Sequence, residues 1–227
     1  MPKIPKSSYR IVFPKTVLWS FEQIELYKKI ISFIDRIDSF KSPKVELEQY
    51  SLPSDLIAFV LILSADDLVG QNVVDLGCGT GRFSLPIKHF FSNRLLGVDI
   101  DLDAMKHLVQ LKKRNKLAID LLSASIEFSE TEMWGRRYQT TLMNPPFGTK
   151  RRKIDMVFLK QALKFSKVII SIHKSNPKTR MVINNLAREH KKKAIIMATV
   201  DFPQFASLRF HRKHKHIIRV DLLRIAE

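Results

Sequence analysis

Four consecutive residues, Asn144, Pro145, Pro146 and Phe147, carry the clearest chemical signal in the sequence, directly after a run that predicts a strand. The two prolines fix the backbone and remove two N–H donors, which leaves the Pro145 carbonyl free to accept a hydrogen bond. The Asn144 side-chain oxygen is a second acceptor. Two acceptors suit an amine on an aromatic ring, because they orient its weak lone pair and stabilise the positive charge that develops on it. We expect Phe147 to stack on that ring.

A glycine-rich loop at a predicted strand-to-helix turn is the second signal. Gly77, Gly79 and Gly81 follow the strand, and glycines let a backbone turn tightly and approach a ligand closely. The third glycine comes one residue too early for the dinucleotide pattern G-x-G-x-x-G. Asp75, just before the loop, is unfavourable for a pyrophosphate but suits a ligand with a cationic amino-acid end and a sulfonium. The loop therefore predicts an S-adenosylmethionine site, with Asp75 and the three glycines as contacts.

An acidic residue, Asp99, ends the next predicted strand. A carboxylate at this position can accept hydrogen bonds from the ribose hydroxyls of a cofactor. Asp101 is better placed to cap the helix that begins at residue 102, so we assign the ribose to Asp99 and the helix cap to Asp101. Cys78 is interpreted as a small loop residue, since nothing around it suggests a base.

Short apolar runs alternate with helix-like segments from residue 72 onward. This pattern is typical of an α/β fold, with a mostly parallel sheet and helices on both faces. The last two predicted strands are joined by a long basic connection instead of a clear helix, which predicts antiparallel pairing at one edge. Residues 1–40 are predicted to form an irregular basic arm and a helix capped by Ser20, and residues 41–227 the main domain.

The charge balance indicates the class of partner. Lys and Arg number 39 against 22 acidic residues, and this excess, a formal net charge of +17, is clustered, which favours binding of nucleic acid over a merely solubilising surface. The single cysteine excludes an internal disulfide and a cysteine-based zinc site, and favours a reducing, cytoplasmic location. No apolar run is long enough to span a membrane and no signal segment is visible, so no membrane partner is expected.

Two basic runs are predicted to contact RNA. We expect both to lie on the rim of the sheet where strand ends meet, so that they hold phosphates beside the target nucleotide. The residues are Lys150, Arg151, Arg152 and Lys153 in the first run and Arg209, His211, Arg212 and Lys213 in the second. The alternative is a solvated charged loop in each case. Because no acid or cysteine accompanies the histidines, no metal site is predicted.

These motifs together resemble a known family. The segments Asp-Leu-Gly-Cys-Gly-Thr-Gly and Asn-Pro-Pro-Phe are typical of adenine-N6 and related amino methyltransferases. Four further segments narrow the resemblance: Gly-Thr-Lys (148–150), Pro-Lys…Leu-Glu-Gln-Tyr (43–50), Ser-Ile-His-Lys-Ser (171–175) and Phe-His-Arg-Lys (210–213). Over about residues 38–225 the chain resembles the methyltransferase-like family that forms N6-methyladenosine in small-subunit ribosomal RNA.

The resemblance implies a Rossmann-like, seven-stranded S-adenosylmethionine methyltransferase sheet and an RNA adenine-N6 methyltransferase activity. It implies cofactor contacts from Gln49, Tyr50, Gly77 and Asp99, and it makes residues 144–147 the catalytic motif. Members of the family often work with a small zinc-binding activator protein that pairs by strand addition. The resemblance therefore implies that this chain has such a partner.

One position departs from the family pattern. The family usually has an acid after the third strand that holds the adenine amine of the cofactor, and Ser125 stands at the matching position. A hydroxyl can accept the same hydrogen bond without the charge, which predicts weaker cofactor binding. Glu127 is a candidate to substitute for the missing acid.

Several alternatives stay open at this point. Asn-Pro-Pro motifs also serve methyltransferases that act on DNA adenine or on a glutamine side chain of release factors. The serine at position 125 would fit a non-catalytic RNA-binding module on the same fold. A nicotinamide oxidoreductase is disfavoured by the glycine spacing and by Asp75.

Overall fold

The sheet that the alternating pattern predicts lies at the centre of the structure. A computed structural model describes residues 10–12, 19–92, 94–127, 138–148, 150–204 and 216–227, and the strands of that part form one eight-stranded sheet. In chain order the strands are β1 (Arg10–Val12), β2 (Asn72–Leu76), β3 (Arg94–Asp99), β4 (Asp120–Ser123), β5 (Tyr138–Met143), β6 (Ser166–Lys174), β7 (Lys193–Gln204) and β8 (His216–Ala226). Their order across the sheet is β1-β7-β8-β6-β5-β2-β3-β4.

The pairing confirms a mostly parallel sheet with antiparallel pairing toward one edge. Strands β2 to β6 are parallel to their neighbours in that group, whereas β8 is antiparallel to both β6 and β7. Strands β2 to β8 are the seven that the resemblance implied. The structure adds β1, which pairs antiparallel with the outer side of β7, inside the arm that we predicted to be irregular.

Strand β8 lies between β6 and β7 because it is apolar on both faces. Val220 and Leu222 are buried in one cluster of the core, and Leu223 and Ile225 are buried in another. A strand of this kind is better covered inside a sheet than at its edge.

Helices cover both faces of the sheet, as predicted. They are α1 (Phe21–Ile34), α2 (Ser54–Leu63), α3 (Ala65–Leu68), α4 (Ser84–Phe90), α5 (Leu102–Arg114), α6 (Ile154–Phe165) and α7 (Pro177–Glu189), with a 3-10 turn at Val45–Leu47. Helices α1 to α5 bury their apolar residues in one core cluster, and α6 and α7 bury theirs in the second, on the opposite face. Among the described helices, none is long and apolar enough to cross a membrane.

Helix α1 begins where the sequence predicted. The Ser20 hydroxyl accepts a hydrogen bond from the backbone N–H of Gln23, and the Gln23 side chain accepts one from the Ser20 N–H, which completes a capping box. One face of the helix, including Ile30 and Ile34, is fully buried against the same core cluster as α2. The N-terminal helix therefore shares the core of the main domain.

The parallel arrangement brings the motifs to one rim. Strands β2, β3, β4 and β5 are neighbours and point the same way, so the segments that follow them lie together. Open parallel sheets bind ligands at this carboxyl rim. The rim holds the glycine loop after β2, Asp99 at the end of β3, residues 124–127 after β4 and the segment 144–148 after β5.

Gly81→Ala tests how tightly this rim is packed, with Gly70→Ala as the matched control. Both glycines have a positive φ, +85° and +70°, so alanine is strained at both by about 1 kcal/mol. A Cβ at Gly81 would also overlap the Leu108 side chain, whereas a Cβ at Gly70 meets nothing within 4 Å. We expect Gly81→Ala to lower the free energy of unfolding by about 1–3 kcal/mol more than Gly70→Ala, as measured by urea unfolding. Equal losses would show that Leu108 moves aside freely.

Candidate active site

A cavity opens at the carboxyl rim of the sheet. It encloses about 190 Å³, far more than the roughly 10–15 Å³ that a single water molecule needs, so it can hold an organic ligand. Its wall is formed by the ends of β2, β3 and β5, by the segment after β4, by the start of α6 and by the loop that precedes α2. The predicted site residues in this wall are Gln49, Tyr50, Asp75, Gly77, Gly79, Asp99, Ser125, Asn144, Pro146 and Arg151.

Other predicted site residues lie outside the wall. Gly81 packs against Leu108, and Pro145 is buried between the cavity residues Asn144 and Pro146 in the chain. Phe147 is half-buried and contacts the Tyr50 ring. Lys150, Arg152 and Lys153 are exposed on the loop that leads to α6. The second basic run, with Arg209, His211, Arg212 and Lys213, lies outside the described residues.

The glycine loop forms a bare cradle. Gly77 and Gly79 have φ of +77° and +52°, a conformation that other residues rarely adopt. A Cβ at Gly79 would lie 2.8 Å from the ring of Phe40, which closes the cavity from the N-terminal side. Glycine is therefore required at both positions for the backbone to turn, and at Gly79 also for the Phe40 ring to pack against the loop.

Asp99 lies in the cavity wall with spare acceptor capacity. Its two carboxylate oxygens accept hydrogen bonds from the backbone N–H of Gly79 at 2.7 Å and of Asp101 at 2.8 Å. The backbone N–H of Ile100 also acts on this carboxylate, and because a carboxylate can accept about four hydrogen bonds, some acceptor capacity remains for ligand hydroxyls. Burial raises the pKa of the Asp99 carboxyl.

Asp101 caps α5, as predicted. Its side chain accepts a hydrogen bond from the Asp103 N–H at 3.0 Å. It also accepts hydrogen bonds from Lys44 Nζ at 2.5 Å and from Gln49 Nε2 at 2.6 Å. The loop of residues 44–51 is therefore tied to the start of α5, and both polar atoms of Gln49 are used within the chain, since its Oε1 accepts from the Lys44 N–H at 2.8 Å.

Asp75 is almost completely buried, and its carboxylate accepts a hydrogen bond from the Ser84 hydroxyl. Burial raises the pKa of Asp75 to about 7, although the Ser84 hydrogen bond acts in the opposite direction. The nearby charge of Asp99 raises it further. A cationic group in this cavity would relieve the repulsion between the two carboxylates.

The catalytic-motif asparagine has a partner that sequence reasoning did not find. The Tyr50 hydroxyl donates a hydrogen bond to Asn144 Oδ1 at 2.8 Å. The Tyr50 ring also contacts Phe147, with ring centroids 5.3 Å apart and planes inclined by 33°. We predicted Tyr50 only as a cofactor contact, through the resemblance.

The segment after β4 is linked to the first basic run. Glu127 forms an ion pair with Arg151 at 2.6 Å, and both residues line the cavity. The hydroxyl of Ser125 accepts a hydrogen bond of 3.4 Å from the backbone N–H of Glu127. The candidate substitute for the missing acid is therefore already paired with a cation of this chain.

Sequence reasoning missed several residues that shape the cavity. Phe40 and Phe158 have no motif around them, and their rings contact the two cradle glycines. Lys44 stands inside the segment 43–50 but was assigned no role. Arg82 donates hydrogen bonds to the carbonyls of Ile37 at 3.1 Å and of Leu52 at 3.4 Å, which holds the N-terminal segment to the glycine loop. Only Lys44 carried a sequence signal, through its place in the resemblance.

Asp75→Asn tests the burial of this carboxyl. Its pKa is about 7 in the folded protein and about 3.9 in an unfolded chain. The folded state favours the protonated form, so the carboxyl adds stability below about pH 4 that is lost as pH rises to about 7. Asn keeps the shape and has no proton to lose. We expect the variant to gain stability over the wild type between about pH 4 and about pH 8, by up to about 4 kcal/mol, measured by urea unfolding. A pH-independent difference would contradict this.

Comparison with known proteins agrees with the geometry of the site. The family model described as a methyltransferase small domain matches residues 55–185. The chain is 31% identical over 206 residues to rRNA N(6)-adenosine-methyltransferase Mettl5 of Drosophila melanogaster, covering 87% of this chain and 94% of that protein. It is 32% identical over 203 residues to rRNA N(6)-adenosine-methyltransferase METTL5 of Danio rerio, covering 87% and 97%.

A solved structure supports the same conclusion. A proposed RNA methyltransferase from Pyrococcus horikoshii superposes with a TM-score of 0.76 at 28% identity, covering 88% of this chain and 96% of that chain. The sequence motifs had already predicted this resemblance. The chain belongs to the methyltransferase small domain family and, within it, to the family of the Mettl5 proteins.

Proposed function

We propose that this chain is an S-adenosylmethionine-dependent methyltransferase that forms N6-methyladenosine in RNA, with small-subunit ribosomal RNA as its substrate. The observation that carries the proposal is the position of Asn144, which lies in the wall of the same cavity as the glycine cradle and Asp99. An acceptor for an amine and the contacts for a nucleoside cofactor therefore share one site. The relatives named as rRNA N(6)-adenosine-methyltransferases support both the reaction and the class of substrate.

The residues of the cavity fit S-adenosylmethionine. The spare acceptor capacity of Asp99 suits the ribose hydroxyls, and Gly77 and Gly79 line the cavity with backbone alone. Asp75 and Asp99 provide a negative environment for the cationic amino-acid end and sulfonium. When bound, the cofactor supplies a methyl group that the sulfonium activates. Ser125 offers its hydroxyl to the adenine amine of the cofactor, because Glu127 is engaged with Arg151.

The target adenine is held by its own amine. Its two N–H groups donate to Asn144 Oδ1 and to the Pro145 carbonyl, so the nitrogen lone pair is aimed at the methyl group. The same two acceptors stabilise the positive charge that develops on the nitrogen, and the proton leaves to water afterwards. Phe147 stacks on the base, which must be unpaired or flipped to reach the cavity.

The first basic run is the candidate RNA contact next to the cavity. Lys150, Arg152 and Lys153 are exposed, and Arg151 lines the cavity wall. These cations are close enough to the cavity to bind phosphates on either side of the target nucleotide. The net charge of +17 supports binding of a polyanion over the rest of the surface.

A small zinc-binding activator protein is proposed as a partner at strand β4. In the described part of the chain β4 pairs with β3 alone, whereas the opposite edge of the sheet is extended by β1. Asp120 and Ser123 at the two ends of β4 are exposed. An edge with unpaired backbone groups is suited to the addition of a strand from another protein.

Asn144→Ala tests the reaction. Wild type and variant are incubated with labelled S-adenosylmethionine and unmodified small-subunit ribosomal RNA, with and without a zinc-binding activator, and the nucleosides are analysed by mass spectrometry. We expect N6-methyladenosine from the wild type and a rate lower by about 10²–10³-fold in the variant, because one of two acceptors for the developing charge is lost.

Calorimetry with S-adenosylmethionine is the control for this variant, whose cofactor affinity we expect to be unchanged. Methylation of DNA adenine or of a release-factor glutamine in place of RNA would overturn the substrate. Absence of cofactor binding by the wild type, with or without the activator, would favour a non-catalytic RNA-binding module.

Arg152→Gln tests the first basic run, with Lys164→Gln as the matched control. Arg152 is exposed beside the cavity, and Lys164 is exposed in the last turn of α6. If Arg152 neutralises one phosphate, its loss reduces the slope of log affinity against log salt by about one. We expect no change of slope for Lys164→Gln, with RNA binding measured by fluorescence anisotropy. Equal slopes for both variants would show that Arg152 is only a solvated surface charge.

A further inference from the structure

We propose that Tyr50 is a positioning residue for the reaction: its hydroxyl holds the Asn144 amide so that Oδ1 is presented to the target amine. This inference rests on the proposed function and assigns to Tyr50 a role different from the cofactor contact that the resemblance implied. The observation that carries it is the hydrogen bond of 2.8 Å from the Tyr50 hydroxyl to Asn144 Oδ1.

The chemistry needs such a constraint because a carboxamide has two similar ends. The last torsion of an asparagine side chain is broad, and a rotation of about 180° exchanges the oxygen with the NH2 group. With the NH2 group toward the target, two donors would face the N–H groups of the adenine amine, and the acceptor that orients its lone pair would be lost. Some group must therefore select one orientation of the Asn144 side chain.

Among the described residues, the Tyr50 hydroxyl is the group that hydrogen-bonds to the Asn144 side chain. Rotation of the amide would leave the hydroxyl proton of Tyr50 without an acceptor at a part-buried position, which is unfavourable. Burial also raises the pKa of Tyr50, so the hydroxyl keeps its proton at neutral pH and remains a donor. The orientation with the oxygen toward Tyr50 is therefore favoured.

The contact leaves room for the substrate. An amide oxygen has two lone pairs, and Tyr50 takes one of them. The second remains for an N–H of the target adenine. Tyr50 can therefore orient Asn144 during the reaction without moving away from it.

Tyr50 is itself held at two sides. Its ring contacts Phe147, 5.3 Å away between centroids, and the preceding residue, Gln49, is bonded to Asp101 at 2.6 Å. On the other side of the loop, Glu48 accepts a hydrogen bond from the Lys150 N–H at 2.8 Å. The loop of residues 44–51 is thus fixed to α5 and to the segment after β5, and this fixes the Tyr50 hydroxyl relative to the Asn144 amide.

Tyr50→Phe removes the hydroxyl and keeps the ring. We expect kcat for N6-methyladenosine formation to fall by about 10-fold, the effect of losing one hydrogen bond. The KM for RNA and the Kd for S-adenosylmethionine should stay within about two-fold of the wild type, because the ring and the loop remain. In an Asn144→Ala background the same substitution should have no further effect, since the two side chains act as a unit.

Tyr27→Phe is the matched control. It removes the same hydroxyl from a buried tyrosine in α1, outside the cavity wall. We expect a change in stability at most and an unchanged kcat.

A second measurement does not depend on activity. The side-chain NH2 signals of Asn144, identified in NMR spectra by their loss in Asn144→Ala, report the orientation of the amide. We expect one sharp pair in the wild type, and shifted, exchange-broadened signals in Tyr50→Phe. Unchanged signals in Tyr50→Phe would overturn the inference, whether or not the wild type forms N6-methyladenosine. Failure of the wild type to form N6-methyladenosine would count against the proposed function alone.

The kinetic outcomes separate the competing roles. A raised Kd for S-adenosylmethionine with an unchanged kcat would return Tyr50 to a cofactor contact. An unchanged or raised kcat in Tyr50→Phe would show that the hydroxyl is a bystander or competes with the substrate for Asn144, and either result overturns the inference.

Discussion

The carboxylate of Asp101 is the point where helix α5 and the loop of residues 44–51 meet. It caps α5, and it accepts hydrogen bonds from Lys44 and Gln49, which stand far earlier in the chain. Burial alone would raise the pKa of this carboxyl, but the hydrogen bonds from Lys44, Gln49 and the Asp103 N–H together hold it below its usual range. The charge is therefore retained, and with it the attachment of the loop that carries Tyr50. Without this attachment the cavity would lose one of its walls.

The two other acids at the rim behave in the opposite way. Burial raises the pKa of both Asp75 and Asp99. The charge of Asp99 raises the pKa of Asp75 further, and the charges of both acids add to the effect of burial in raising the pKa of the Cys78 thiol. The protein holds these carboxyls in an unfavourable environment next to a bare glycine cradle. A cationic ligand would relieve that cost. The cavity is thus matched to a ligand of positive charge.

The segment before residue 55 is part of the site, although the match to the family model begins only at residue 55. Helix α1 shares the core of the domain, Phe40 closes the glycine cradle, and Gln49 and Tyr50 lie in the cavity wall. The N-terminal region therefore covers the core and completes the cavity at once. Among its described residues, only the short β1 joins the sheet.

The sequence by itself determined the features that depend on near neighbours. Strand–helix alternation indicated the sheet, the Ser20 cap predicted the start of α1, and the spacing of two acids predicted that Asp101 would cap α5, because each of these rests on hydrogen bonds or periodicity within a few residues. The comparisons confirmed the family that the motifs resembled.

Only the tertiary structure decided how distant segments meet. It placed β8 between two earlier strands, turned Gly81 toward Leu108 and away from the cavity, and paired Glu127 with Arg151. It also brought the Tyr50 hydroxyl to Asn144, which stands 94 residues further along the chain. Such contacts depend on which faces of the sheet and helices are buried together, and no local spacing records that choice, because burial is a property of the whole packed core.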